Sequence, residues 1–125
     1  MLVLDASAYL ACLFRETGHD QVAPRLRECC LSTVNLAEVI GRFTRDGHDP
    51  SAVTPRLVAA VREIVPFSEG QAILAATLLP VTQSLGLSLG DRACLALALV
   101  RRCPVLTADR SWAKLKLAVE IRVIR

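Results

Sequence analysis

The chain has 125 residues, of which 53% are hydrophobic and 22% charged, and its formal net charge is +3. This length predicts a single domain over residues 1–125 with its own core, and the composition excludes a disordered chain. No apolar run reaches the roughly 20 residues of a membrane span, and no export signal is recognisable, so we expect a cytoplasmic protein. The five cysteines lack C-x-x-C spacing and are typical of reduced core thiols rather than of a zinc site.

The apolar pattern predicts strands that alternate with helices. The continuous apolar run at residues 2–4 is typical of a buried parallel strand, and a helix follows it through residues 9–14. Later strands are predicted at residues 29–34, 65–67, 104–107 and 118–124. Later helices are predicted at residues 21–28, 36–45, 51–64, 68–79, 88–102 and 109–116. This alternation favours an α/β fold, in which helices flank a central parallel sheet.

Charge is distributed unevenly along the chain. Residues 1–91 carry 7 basic and 10 acidic side chains, whereas residues 92–125 carry 8 basic and 2 acidic ones. A basic C-terminal third beside an acidic remainder fits a polyanion held near a metal site, although the same charges also fit ordinary solvated helix faces. The high apolar content of so small a domain further predicts a partner chain that covers part of the surface.

Four acidic residues lie at or near the ends of predicted strands. Asp5 ends the first strand, Glu38 follows the second, and Asp109 follows the fourth. Asp91 opens the helix that leads into the fourth strand. Each has an ordinary structural alternative, because Asp5 and Asp109 fit helix N-caps and the other two acids have capping-box spacing to Asn35 and Ser88.

As a set, the four acids predict a metal site. The carboxyl ends of parallel strands meet at one edge of the sheet, where α/β proteins bind ligands. Carboxylates crowded together there need a neutralising cation or raised pKa values, and an all-oxygen ligand set favours Mg²⁺ or Mn²⁺. Such a site is suited to phosphodiester hydrolysis. We therefore predict that the metal-binding and catalytic residues are Asp5, Glu38, Asp91 and Asp109.

Four further side chains are candidates for substrate binding. Ser7 and Thr107 could hold water or phosphate, with local capping bonds as the alternative. Arg92 and Arg110 could orient a phosphate, with a helix-surface position as the alternative. His19 and Trp112 carry less weight, because the histidine lies in a turn, as does His48, and the tryptophan fits a core position.

The same residues resemble a known family, the PIN domains, and specifically the VapC-like ribonuclease toxins of toxin–antitoxin pairs. The matching segments are Leu4-Asp5-Ala6-Ser7, Asn35-x-x-Glu38, Gly90-Asp91-Arg92-Ala93 and Thr107-Ala108-Asp109-Arg110-Ser111-Trp112. The resemblance implies a PIN fold, Mg²⁺ or Mn²⁺ bound by the four acids, and endonucleolytic cleavage of RNA. It also implies a homodimer and a small cognate antitoxin whose tail occupies the active-site groove.

Two alternative functions belong to other classes. A non-catalytic PIN-like module would bind RNA or protein without cutting, and metal-dependent cleavage separates it from a nuclease. A receiver-like signalling domain would also place an Asp and Mg²⁺ at the edge of a sheet. It requires paired acids after its first strand, where this chain has Asp5 alone.

Overall fold

A single five-stranded sheet organises the chain in the computed structural model, which describes residues 1–125. The strand order is β3-β2-β1-β4-β5, and every neighbouring pair is parallel. The strands are β1 (Leu2–Leu4), β2 (Cys29–Ser32), β3 (Glu63–Val65), β4 (Val105–Thr107) and β5 (Ile121–Val123). The predicted α/β fold with a central parallel sheet is confirmed.

Helices cover both faces of the sheet. The α-helices are α1 (Ala6–Leu13), α2 (His19–Val22), α3 (Thr33–Arg45), α4 (Pro50–Ala60), α5 (Glu69–Thr77), α6 (Leu79–Thr82) and α7 (Leu89–Arg101). Short 3₁₀ helices occupy Ala23–Glu28, Gln83–Leu85 and Arg110–Lys114. Side chains alternate across β1, so that Leu4 packs with Tyr9 and Val39 in one core cluster, while Val3 packs with Leu95 in the other.

The strand order reverses beside β1. From β1 the chain adds β2 and β3 on one side, and it then returns to place β4 and β5 on the other side. Asp5 directly follows β1, and Asp109 lies two residues beyond the end of β4. Because ligands of open α/β sheets bind at this reversal point, the fold places two of the predicted acids at its preferred ligand site.

The second strand is shorter than predicted. It ends at Ser32, whose Oγ accepts a hydrogen bond from Val34 N and caps α3. The helix predicted at residues 36–45 therefore begins at Thr33. Asn35 lies within its first turn, so the capping box that was the structural alternative for Glu38 is excluded.

Two other predicted helices have different ends. The helix predicted at residues 51–64 ends at Ala60, and the chain then pairs with β2 as β3. The main chain turns into the sheet there, where Arg62 N donates to Cys29 O at 2.9 Å. The helix predicted at residues 21–28 is the short α2 followed by a 3₁₀ segment, which has Pro24 in its first turn.

Candidate active site

Asp5 is buried at the end of β1 and is held by three hydrogen-bond donors. It is 2% exposed, and its carboxylate caps α1 by accepting from Ala8 N at 2.7 Å. Ser7 Oγ lies 2.8 Å from Asp5 Oδ1, and Thr107 Oγ1 donates to Oδ2 at 2.7 Å. Asp5 therefore has the role that was its structural alternative, the N-cap of α1, and the carboxylate is fixed in orientation at the sheet edge.

The environment of Asp5 favours its protonated form. Burial raises its pKa from 3.8 to about 6, and the charge of Asp91 adds to this rise. The hydrogen bonds from Thr107, Ala8 and Ser7 oppose the shift without cancelling it. A nearby cation would favour the ionised form.

Ser7 and Thr107 connect the ends of β1 and β4. Ser7 Oγ accepts from Ala108 N at 3.0 Å, and Thr107 Oγ1 accepts from Asp109 N at 3.1 Å. Both hydroxyls also bond Asp5. Their structural role is therefore to hold Asp5 against the start of the segment that carries Asp109, and substrate binding by them stays a prediction.

Glu38 is positioned by α3 and α7 together. Asn35, which is buried, donates from Nδ2 to Glu38 Oε1 at 2.8 Å and to Gly90 O at 3.1 Å. The Glu38 carboxylate lies directly over Gly90, where an added Cβ would be 2.6 Å from Glu38 Cδ. Sequence reasoning paired Asn35 with Glu38 only as a capping box, and it missed the role of Gly90, because a contact between residues 38 and 90 leaves no local signal.

Asp91 forms the predicted capping box at the start of α7. Its Oδ2 accepts from Ser88 N at 2.8 Å, and Ser88 Oγ accepts from Asp91 N at 3.2 Å. Asp91, Glu38 and Ser7 line the same open groove, whose volume is about 510 Å³. The second oxygen of Asp91 makes no protein hydrogen bond and is free for a ligand.

The charges of three of the four acids act on one buried thiol, that of Cys94 on α7. Burial, and then the charges of Asp5, Asp91 and Glu38, raise the pKa of Cys94 well above its ordinary value. Asp109 lies farther along the edge, where it caps the 3₁₀ helix by accepting from Ser111 N at 2.9 Å. In this side-chain arrangement, no group of three or more His, Cys, Asp or Glu residues is close enough to hold a metal ion.

The two arginines singled out from the sequence are bonded to main-chain oxygens. Arg92 Nη1 donates to Leu87 O at 3.1 Å, and Arg110 Nε donates to Arg125 O at 3.0 Å. Neither arginine lines the groove. Trp112 is fully buried in the core, so it is not available to stack on a base.

The residues present fit a hard divalent cation in three respects. The candidate ligands are all carboxylate oxygens, the donor type preferred by Mg²⁺ and Mn²⁺. Gly90 has no side chain, so the Glu38 carboxylate can lie directly against α7, where any Cβ would clash with it. Asn35 Oδ1 is buried without a hydrogen-bond partner, so an unused acceptor lies beside Glu38.

Comparison with known proteins identifies the family. The family model described as "PIN domain" matches residues 2–117. The chain belongs to the PIN domain family. A comparison with curated protein sequences found no match. None of the helices of this PIN domain is both long enough and apolar enough to span a lipid bilayer.

Solved structures with the same fold include several toxin–antitoxin proteins. A toxin–antitoxin complex from Klebsiella pneumoniae matches with a TM-score of 0.72 and 17% identity over 97% of this chain and 100% of the other. VapBC2 from Rickettsia felis bound to promoter DNA has a TM-score of 0.74 and 12% identity over 97% and 96%. Mycobacterium tuberculosis VapC20, described as a sarcin–ricin loop cleaving toxin, has a TM-score of 0.69 and 19% identity over 96% and 99%. At these identities, the likeness is one of fold.

Gly90→Ala is expected to reduce metal affinity while leaving the fold intact. The added Cβ meets the end of a flexible side chain, so Glu38 can swing away without backbone strain. Alanine also restricts the unfolded chain more than glycine does, which stabilises a helix interior by roughly 0.5–1 kcal/mol, and the gain should be smaller at Gly90 because it lies in the first turn of α7. Mn²⁺ titration calorimetry and thermal unfolding in EDTA measure the two effects. Gly41→Ala on α3 is the matched control, because no atom lies within 4 Å of its added Cβ; equal Mn²⁺ affinity in both variants would contradict the role of Gly90.

Proposed function

We propose that this PIN domain is a VapC-like toxin, a metal-dependent endoribonuclease that hydrolyses RNA in the cytoplasm. One observation carries the proposal: Asp5, at the reversal point of the sheet, is buried with its pKa raised to about 6 and faces the charge of Asp91. A buried carboxylate whose ionised form is disfavoured by burial and by the charge of another acid is typical of a functional site, and a cation there would favour the ionised form.

The proposed ligands of Mg²⁺ or Mn²⁺ are Asp5, Glu38, Asp91 and Asp109. A bound ion of this kind supplies Lewis acidity to a phosphodiester and makes a water molecule more acidic. The chain's own contribution is to hold the carboxylates in place. Ser7 and Thr107 orient Asp5, Asn35 orients Glu38, and Ser88 orients Asp91.

We also propose that the chain binds a small antitoxin protein and forms a homodimer. Several proteins of the same fold come from complexes with an antitoxin, which supports a small cognate antitoxin that covers the groove. Large apolar side chains remain exposed on helices α4 to α7, which supports a homodimer; they are Val58, Ile73, Leu79, Val81, Leu89 and Val100.

Cleavage of a mixed RNA pool by purified protein that is free of antitoxin tests the proposal. We expect cutting with Mg²⁺ or Mn²⁺, none with EDTA, and at least a roughly 100-fold loss in Glu38→Gln. Attack by water at phosphorus leaves 5′-phosphate and 3′-hydroxyl ends. Ends that carry 2′,3′-cyclic phosphate would overturn the mechanism, and folded protein that binds metal and RNA without cutting would favour a non-catalytic binding module.

A further inference from the structure

Two arginines extend the candidate active site along α3. The groove that contains Ser7, Glu38 and Asp91 is also lined by Arg42 and Arg45. They follow Glu38 by four and seven residues, and this spacing places all three side chains on one face of the helix. One end of the groove is therefore acidic and the other basic.

The guanidinium of Arg42 is held in place but not saturated. Its Nε donates to Asp46 Oδ2 at 3.0 Å, and its Cζ lies 4.8 Å from the centre of the Phe14 ring. Neither Nη group has a hydrogen-bond partner within the protein. The planar guanidinium is fixed through Nε, and both of its Nη groups are open. This arrangement suits a bidentate contact with a phosphate.

The side chain of Arg45 is more exposed than that of Arg42. Its side chain is 73% exposed, and its nearest acidic oxygen is Asp46 Oδ1 at 3.9 Å. Gly41, between the acidic and basic ends, has no neighbouring atom within 4 Å of where a Cβ would lie. The groove is therefore unobstructed along this face of α3, from Glu38 to Arg45.

We propose that Arg42 and Arg45 bind phosphates of the RNA strand beside the scissile bond and thereby position the strand over the acidic end of the groove. This inference rests on the proposed nuclease function and adds two substrate-binding residues to those predicted from the sequence. Helix α3 rises about 1.5 Å per residue, so Arg42 and Arg45 lie roughly 6 and 10 Å beyond Glu38 along its axis. These distances along the helix fit a single RNA strand that lies along the groove better than they fit one isolated phosphate.

The two arginines at this position have an alternative explanation, which concerns only the stability of helix α3. Basic side chains in the last turn of a helix complement its dipole, and Arg42 and Arg45 lie in the last turn of α3. A purely structural role would change the free energy of unfolding but would leave the affinity for RNA and its salt dependence unchanged.

Salt-dependent RNA binding tests the proposal. Fluorescence anisotropy with a labelled single-stranded RNA, measured in an Asp5→Asn background with Mg²⁺, avoids cleavage during the titration. Arg42→Gln and Arg45→Gln are each expected to weaken binding about tenfold and to reduce the slope of log affinity against log salt by about 0.7. Arg45→Lys keeps the charge and should retain the slope. Arg56→Gln, on the exposed surface of α4, is the matched control.

Cleavage kinetics separate failure of this inference from failure of the proposed function. In otherwise wild-type protein, the two glutamine variants should raise KM and leave kcat within a few fold. If the wild-type chain cuts RNA but both glutamine variants bind and cut like Arg56→Gln, the arginines have no substrate role and the nuclease proposal stands. If the wild-type chain neither binds nor cuts RNA, both proposals fail.

Discussion

Asp5→Asn is expected to abolish RNA cleavage and, in the absence of metal, to stabilise the folded protein at pH 8 by roughly 2–3 kcal/mol. The catalytic loss follows from removing the charge of a proposed metal ligand, and it should exceed about 100-fold. The gain in stability follows from burial, because Asn is neutral and nearly isosteric with the protonated acid. A shift from 3.8 to about 6 corresponds to this free energy at about 1.4 kcal/mol per pKa unit.

The gain in stability from Asp5→Asn should increase with pH. The folded state raises the pKa of Asp5, so it binds the proton more tightly than the unfolded chain does. The stability that Asp5 contributes to the folded wild-type protein is fully present below about pH 4. It is lost as the pH rises through about 6. The asparagine of the Asp5→Asn variant does not titrate. The advantage of the variant should therefore be small at about pH 4, should grow up to about pH 6, and should stay constant above that range.

Urea unfolding in EDTA at pH 4, 6 and 8 measures the effect. Asp49→Asn is the matched control, because Asp49 is also an N-cap but is exposed to solvent. The same substitution there changes an N-cap carboxylate in solvent rather than a buried one. An Asp5→Asn variant that is no more stable than wild type at pH 8 would contradict the assigned desolvation, and one that cuts RNA at the wild-type rate would remove Asp5 from the active site.

The sequence predicts the sheet and the position of most acids because both depend on local order. Apolar runs at β1 and β4 end abruptly in polar residues, and parallel strands bring such ends to one edge. Asp5 and Asp109 therefore lie where they were expected. The boundaries of α3 and α4 were less accurate, because Ser32 caps one helix early and the pairing of β3 with β2 ends the other.

The sequence does not show in which direction a side chain points. Arg92 and Arg110 each follow an acid directly, yet both turn to main-chain oxygens outside the groove. Arg42 and Arg45 have no adjacent motif and reach the groove through the geometry of α3. The contact of Glu38 with Gly90 likewise depends on how α3 packs on α7, which only the tertiary structure contains.

Asp91 caps α7 and is also a proposed metal ligand, and a pair of variants should separate the two roles. As a cap, it accepts a hydrogen bond from Ser88 N, and an asparagine oxygen can accept the same bond. Asp91→Asn should therefore change the free energy of unfolding in EDTA by only a few tenths of a kcal/mol, apart from a small gain from reduced repulsion of Asp5. Cleavage should nevertheless fall by at least about 100-fold, because the proposed metal ligand has lost its charge.

Ser88→Ala should have the opposite effects. It removes the hydroxyl that accepts from Asp91 N and should destabilise the fold by about 1 kcal/mol, while the Asp91 carboxylate remains in place. RNA cleavage by the folded protein should stay within a few fold of wild type. Cleavage rates below the unfolding transition and urea unfolding in EDTA give both quantities. If Asp91→Asn cuts normally and only Ser88→Ala has an effect, Asp91 is a cap alone, and the proposed metal site loses one of its four ligands.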